Sequence, residues 1–238
     1  MKTSIILIAS MVIAALALVF GLRTSKWKTN KQTKEETIVQ TDTVTIAKRV
    51  LNLIILDESG SMSGLEKASV DGVNETIQTI RSSYEQLPEQ EQLLTFVTFS
   101  SYGKSFYRTK AQMVPISKVQ SFSISDYTPN GTTPLYDTMG KTLTEMEKYA
   151  TESDIVLVTI ITDGYENSSR NYDAKKIKEL VGRLDEKNWV FTYIGANQDA
   201  ILEASKLGID NAMNYSADES GTRKMWEEEK RARTNFMT

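Results

Sequence analysis

A loop with the pattern Asp-x-Ser-x-Ser offers one carboxylate and two hydroxyl groups within a short stretch of chain. It contains Asp57, Ser59 and Ser61 and directly follows the apolar run 50–56. Carboxylate and hydroxyl oxygens are hard donors, which bind Mg²⁺ or Ca²⁺ rather than a soft metal. The pattern therefore predicts a site for a hard divalent cation.

Two later segments carry similar donors at similar positions. Thr132 and Thr133, of which either could supply a hydroxyl, precede Pro134 and a helical pattern, and Asp163 follows a second apolar run, 155–161. In open parallel sheets, ligands bind outside the carboxyl ends of the strands, where the strand order reverses. We therefore expect Asp57 and Asp163 to occupy equivalent places at two strand ends and to share one cation.

Apolar runs that suit buried strands alternate along the chain with stripes that suit amphipathic helices. The predicted strands cover 50–56, 93–99, 104–109, 155–161, 189–194 and 213–215, and the predicted helices cover 65–87, 135–146, 177–184, 201–207 and 221–238. The last helix is rich in charged residues and is expected to be mostly solvated. The alternation predicts an α/β fold with a doubly wound, mostly parallel six-stranded sheet, helices on both faces and one antiparallel edge strand.

The composition excludes several classes of function. The chain has neither cysteine nor histidine, which removes disulfides, zinc sites of the usual type, cysteine nucleophiles and Ser-His-Asp catalysis. Its 28 basic and 31 acidic side chains are nearly balanced, so no basic face for nucleic acid is expected. Any catalysis would depend on Asp, Glu, Lys, Tyr or a metal-bound water.

The N-terminal part of the chain is predicted to lie outside the fold. Residues 5–22 carry no charge, and as a helix they would be about 27 Å long, close to the hydrocarbon thickness of a bilayer. This length favours a transmembrane anchor, with a cleaved signal peptide or a buried core helix as alternatives. The predicted organisation is a tail (1–4), an anchor or signal segment (5–22), a polar linker (23–47) and one domain (48–238).

The expected location is a membrane that the chain crosses once, and the domain would be secreted if the N-terminal segment were cleaved. Five basic residues follow the apolar segment, which favours a cytoplasmic domain. Signal-like N-terminal segments more often send the following chain outward. The side of the membrane therefore stays open.

Taken together, Asp57, Ser59, Ser61, Thr133 and Asp163, in this order and on these elements, make the chain resemble the von Willebrand factor A-type (vWA) domain family. The resemblance covers roughly residue 48 to the C-terminus and is strongest to small stand-alone bacterial or phage-borne members. It implies a Rossmann-like fold and a metal ion-dependent adhesion site in which these five residues hold the metal. The choice of Thr133 over its neighbour Thr132 comes from this resemblance.

The resemblance also implies a function without catalysis. The bound ion would be Mg²⁺, with Mn²⁺ or Ca²⁺ as substitutes, and it would offer an open coordination position to an exposed Asp or Glu of a protein partner. The expected protein is thus a membrane-anchored, metal-dependent protein-binding domain. Its other partner would be the membrane, through the N-terminal helix, and no small-molecule substrate is expected.

Two other functions stay open at this point. One is a Mg²⁺-dependent phosphatase or phosphotransferase with Asp57 as nucleophile, although such enzymes usually carry a second Asp at the position of Ser59. The other is a scaffold subunit of an ATPase-driven membrane complex with a structural metal. Beside the predicted ligands, Glu58 is expected at the solvated rim. Asp137 is expected to act as a favourable charge at a helix N-terminus, with support of the metal ligands as the alternative.

Overall fold

The computed structural model describes residues 49–196 and 200–237, in which strands and helices alternate. The strands are β1 (Arg49–Asp57), β2 (Glu91–Phe99), β3 (Tyr107–Pro115), β4 (Ile155–Thr162), β5 (Trp189–Ala196) and β6 (Asn211–Tyr215). The α-helices are α1 (Glu66–Gln86), α2 (Leu135–Glu147), α3 (Ala174–Asp185), α4 (Ala200–Lys206) and α5 (Glu219–Met237).

The six strands form one sheet in the order β3-β2-β1-β4-β5-β6. All neighbours run parallel except β2 and β3, which are antiparallel, so β3 is the antiparallel edge strand. The predicted doubly wound α/β fold is confirmed. After β1 the chain continues to β2 and β3 on one side of β1, and then crosses to β4 on the other side. The strand order therefore reverses at the β1–β4 pair.

The central strands form where the sequence is continuously apolar. Eight of the nine residues of β1 and seven of the eight residues of β4 are buried, because helices cover both faces of the sheet. One face packs against α2, α3 and α4. The other packs against α1 and α5.

The C-terminal helix α5 is mostly exposed over its described side chains, as its charged composition predicted, but it also has a buried stripe that was not predicted. Met225 and Trp226 are each only 2% exposed and belong to the core beneath α1 and α5. Thr76 on α1 also donates a hydrogen bond to Glu229 on α5, at 3.2 Å. Only two large side chains form this apolar stripe, so it is hard to recognise in the sequence among the many charged residues.

Strand β3 lies further along the chain than the predicted strand 104–109. Its pairing with β2 shifts register near Phe96, and Met113 adopts a left-handed conformation with φ of 50°. A bulge of this kind breaks the alternation of inward and outward side chains. The sequence pattern therefore indicated only the beginning of the strand.

The predicted single-pass membrane location is overturned by the helices of the structure. Within residues 49–196 and 200–237, none is long and apolar enough to cross a bilayer. The two longest, α1 and α5, are amphipathic and carry charged residues such as Glu66 and Arg81. The proposed anchor or signal segment 5–22, with the boundaries drawn at 1–4 and 23–47, lies outside the described residues.

The packing of α5 on α1 leads to a prediction about Gly72. A methyl group at this position would lie 2.1 Å from the buried ring of Trp226, so Gly72→Ala forces the two helices apart. We expect the free energy of unfolding to fall by about 1–3 kcal/mol, measured by urea denaturation. The matched control is Gly182→Ala on α3, where the methyl group meets open space. Because alanine favours helix, this variant should gain about 0.5–1 kcal/mol, and equal losses in both variants would contradict the prediction.

Candidate metal centre

Asp57 ends β1, and the β1–β4 pairing places it beside the end of β4. Leu56 is paired with Ile161, so the next residues, Asp57 and Thr162, are neighbours. Thr162 Oγ1 donates to Asp57 Oδ2 at 2.6 Å, and the backbone N–H of Ser59 donates to Asp57 Oδ1 at 2.7 Å. The Asp57 side chain is thereby fixed, and it is completely buried.

The two serines connect Asp57 to Asp163. Ser59 Oγ and Ser61 Oγ lie 3.1 Å apart, and Ser61 Oγ donates to Asp163 Oδ1 at 2.6 Å. Asp163 follows the last residue of β4 and is 6% exposed. A chain of hydrogen-bonded oxygens therefore runs from one strand end to the other.

Thr133 reaches the same place from the segment that leads into α2. It is 2% exposed, whereas Thr132 is exposed and donates its backbone N–H to Ser101 Oγ. The backbone N–H of Thr133 donates to Asn167 Oδ1 at 2.9 Å, which ties this segment to the loop after β4. Of the two threonines, only Thr133 has its side chain buried at the site.

Gly164 marks the point where these oxygens converge. A methyl group built on it would lie 3.2 Å from Thr133 Oγ1, 3.4 Å from Ser61 Oγ and 4.0 Å from Asp57 Oδ2. Oxygens from three separate segments thus surround one small space. With the Ser59 and Asp163 contacts, the structure brings all five predicted residues together, and their role as metal ligands stays a prediction.

Asp57 and Asp163 have no cationic partner among residues 49–196 and 200–237 that would offset their burial. Burial raises the pKa of Asp57 to about 7, against the hydrogen bonds from Thr162 and Ser59 that lower it. Burial likewise raises the pKa of Asp163, although Ser61 works in the opposite direction. Among the described residues, no Lys or Arg forms an ion pair with either carboxylate. A buried pair of this kind favours a bound cation.

The donor set fits a hard divalent cation. Three hydroxyls and two carboxylates supply only oxygen atoms, which suits Mg²⁺ and Mn²⁺ better than metals that prefer sulfur or imidazole. No group of three or more acidic residues that could hold a metal occurs in the described part of the chain. A site here would therefore depend on the hydroxyl groups as much as on Asp57 and Asp163.

Glu58 lies inside the structure, not at the solvated rim as expected. It is 2% exposed, and Arg108 Nη2 on β3 lies 2.6 Å from Glu58 Oε2. Glu58 Oε1 accepts the backbone N–H of Thr128 at 2.7 Å, and Arg108 also donates to the backbone oxygen of Tyr102. This ion pair joins the loop of Ser59 and Ser61 to two neighbouring loops. Because polar residues are common in turns, nothing in the sequence indicates that Glu58 is buried.

Two further carboxylates hold the loop after β4. Glu166 accepts hydrogen bonds from the backbone of Tyr136, Ser168 and Ser169. Asp137, at the start of α2, accepts bonds from the backbone of residues 170–172. Although burial acts in the opposite sense, these bonds lower the pKa of Asp137. Asp137 thus anchors the loop, a role beyond the helix charge expected from its position.

Gly131 allows the loop before Thr133 to approach its neighbours closely. Its φ of +78° is a conformation that favours glycine, and a methyl group there would lie 2.8 Å from Ser101 Oγ and 2.9 Å from the backbone N of Tyr102. The Gly131 oxygen accepts the N–H of Gly60 at 3.0 Å. The loop that carries Thr133 therefore packs directly against the loop that carries both serines.

A cavity of about 480 Å³ lies elsewhere, between the sheet and α5. Its lining includes Leu157, Thr192, Met213 and Glu228, and none of the five predicted ligands belongs to it. The candidate metal centre is thus recognised by the convergence of its oxygens and not by a deep pocket.

Comparisons with known proteins identify the family of the domain that carries these residues. The family model for the von Willebrand factor type A domain matches residues 53–226, which is most of the chain and includes all five predicted ligands. A search of curated protein sequences finds no match.

Several solved structures share the fold. Proximal thread matrix protein 1 from the mussel byssus is 13% identical, with 80% of this chain and 47% of that chain covered and a TM-score of 0.54. A von Willebrand factor type A protein from Catenulispora acidiphila is 16% identical, with 79% and 43% covered and a TM-score of 0.55. The manganese-loaded TRAP protein of Plasmodium vivax is 16% identical, with 82% and 75% covered and a TM-score of 0.53.

These similarities bear on the fold and not on partners. The chain spans less than half of the length of the first two of these structures. At such low identity the likeness shows a common architecture.

The Glu58–Arg108 pair leads to a prediction about stability. Arg108→Ala leaves the carboxylate of Glu58 buried without its cation, so we expect a loss of about 3 kcal/mol in the free energy of unfolding, measured by urea denaturation in EDTA. The matched control is Arg223→Ala, which removes a pair with Glu219 in which both side chains are more than 60% exposed. Exposed pairs contribute little, so similar losses in the two variants would refute the structural role of Arg108.

The raised pKa of Asp57 predicts an unusual pH dependence in EDTA. The folded protein holds the Asp57 proton more tightly than the unfolded chain, so this contribution to stability is complete below pH 3.8 and is lost as the pH rises through about 7. We expect the free energy of unfolding to fall over this range by up to about 1.4 kcal/mol per pH unit. Asp57→Asn should flatten the decline to the part due to Asp163. Parallel profiles for wild type and variant would contradict the assignment.

Proposed function

Given that this chain belongs to the von Willebrand factor type A domain family, we propose that it is a protein-binding module that depends on a divalent cation. Domains of this family generally serve in interaction and adhesion, commonly with a metal, and are generally not enzymes. The cation would be held by Asp57, Ser59, Ser61, Thr133 and Asp163.

One observation carries the proposal. Asp57 and Asp163 are buried together without a basic partner in the described part of the chain, and three hydroxyl groups face the same space. Burying two carboxylates without a compensating positive charge costs free energy unless a cation or protons neutralise them. The all-oxygen set supports a cation such as Mg²⁺, and the manganese-loaded relative supports Mn²⁺ as a substitute.

The five side chains would contribute to ion binding in two ways. Ser59, Ser61 and Thr133 would offer neutral hydroxyl oxygens, while Asp57 and Asp163 would supply charge, largely through bridging waters. When bound, the metal supplies a positive charge and an open coordination position for an Asp or Glu of a partner protein. Thr162 holds the Asp57 carboxylate in one orientation.

The phosphatase or phosphotransferase alternative is less well supported. Both carboxylate oxygens of Asp57 accept hydrogen bonds and the side chain is fully buried, so an attack on a phosphate ester is sterically hindered. Ser59 also lacks the acid-base capacity that such enzymes place at this position. A scaffold role with a structural metal would require the same five residues and differs only in whether a partner contacts the ion.

Calorimetric titration of the full-length protein with Mg²⁺ tests the metal site. We expect Asp57→Ala and Asp163→Ala to abolish binding because each removes buried charge that the hydroxyls cannot replace. Asp185→Ala, at the far end of α3 and exposed, is the matched control and should bind as the wild type does. Unchanged Mg²⁺ affinity in both site variants, with circular dichroism showing that they remain folded, would refute the proposal.

Partner binding is tested separately from metal binding. A pull-down with and without EDTA should lose its partner in the chelator, and Ser61→Ala should lose it even with Mg²⁺ present. Capture that persists under both conditions would favour the scaffold alternative over a metal-mediated contact.

A further inference from the structure

Two exposed tyrosines flank the metal centre. Tyr102 and Tyr165 are 56% and 53% exposed, although large aromatic side chains are usually more buried in soluble proteins. In the described part of the chain neither hydroxyl group forms a hydrogen bond. These two side chains therefore present free aromatic surface.

The tyrosines approach the centre from different loops. Tyr102 packs on Gly131, where an added methyl group would lie 3.2 Å from its Cβ, and Gly131 in turn accepts the hydrogen bond of Gly60, between the two serines. Tyr165 directly follows Gly164, the point on which the oxygens of Thr133, Ser61 and Asp57 converge. One tyrosine thus adjoins the serine loop, and the other adjoins the end of β4.

The loops that carry them, which we call the rim loops, are residues 100–106, 127–134 and 163–171. They are rich in Ser, Tyr, Gly, Asn and Thr, a composition typical of protein-recognition loops such as antibody binding sites. They are also held rigidly, because Arg108 donates to the backbone oxygen of Tyr102 and Glu166 accepts three backbone N–H groups. Rigid aromatic side chains lose little conformational entropy when they bind.

The charges of the rim loops favour an acidic partner. Their two acidic side chains turn inward, since Asp163 accepts from Ser61 and Glu166 accepts from the backbone. Lys104 and Arg170 are exposed and form no ion pair among the described residues. The outward charge of these loops is therefore positive even before a cation binds.

We propose that the partner segment carries an acidic residue with a large apolar side chain on each side, and that Tyr102 and Tyr165 bind these apolar neighbours. This inference rests on the proposed function, in which the acidic residue reaches the metal. The tyrosines would thus determine which acidic segments bind, while the metal centre would select for the carboxylate.

Three synthetic peptides test the proposal on the full-length Mg²⁺-loaded protein, with affinity measured by fluorescence polarisation. The first has a central aspartate between two phenylalanines, the second has the same aspartate between two serines, and the third has asparagine between two phenylalanines. We expect the first peptide to bind at least about tenfold more tightly than the second, because aromatic anchors dominate such contacts. The third should not bind.

Variants separate this inference from the proposed function. The double variant Tyr102→Ser/Tyr165→Ser should bind the first peptide as weakly as the second, with Mg²⁺ affinity by calorimetry unchanged within about twofold. Tyr149→Ser, which changes an exposed tyrosine after the end of α2, is the matched control and should leave peptide binding intact.

The results distinguish the role of the tyrosines from the metal-mediated contact. Equal affinity of the first two peptides, full binding by the double variant, or no binding of any peptide at about 1 mM would overturn the role of the tyrosines. Binding of the asparagine peptide, or binding that survives EDTA, would instead overturn the metal-mediated contact itself.

Discussion

The pairing of β1 with β4 is the constraint on which the rest of the structure depends. It places Asp57 beside Thr162, and it brings the residue after Thr162, the carboxylate of Asp163, to the same edge of the sheet. Side chains alternate between the faces of a strand, so a slip of one residue would turn Asp57 away from the serine loop. The apolar residues of both strands oppose this slip, since it would exchange side chains that pack in one core with those that pack in the other. The hydrophobic core thus fixes the position of a polar site.

A site built from hydroxyl groups demands unusual support from its surroundings. Serine and threonine side chains are short, so the loops that carry them must come within hydrogen-bonding distance of one another. These loops cannot be held in place by packing on apolar side chains of their own. Polar contacts therefore hold these loops: the ion pair of the buried Glu58 with Arg108, the bonds to Glu166 and the close approach at Gly131. Buried polar networks with satisfied partners specify one arrangement of the backbone. The supporting residues are for this reason as important to the site as the residues that face it.

The sequence predicted the parts of the structure that repeat or alternate. Continuous apolar runs indicated the central strands, and the position of Asp57 and Asp163 after two such runs predicted that they would meet. Roles that depend on a single tertiary contact could not be predicted in this way. Glu58, Asp137 and Thr162 are ordinary turn or strand residues in the sequence, and only the fold shows what they contact. The buried stripe of α5 was missed because two side chains, Met225 and Trp226, supply most of it.

A metal-mediated contact with one carboxylate would provide binding energy but little discrimination. Exposed Asp and Glu side chains occur on nearly every soluble protein, so a site that recognised the carboxylate alone would bind indiscriminately. Selectivity must come from groups around the ion that bind some residues next to the partner's carboxylate better than others. By our inference those groups would be Tyr102 and Tyr165, which lie on loops whose acidic side chains face inward and whose outer charge is positive. The loops that carry the oxygens also carry the two tyrosines, so metal binding and partner choice would depend on one set of loop contacts.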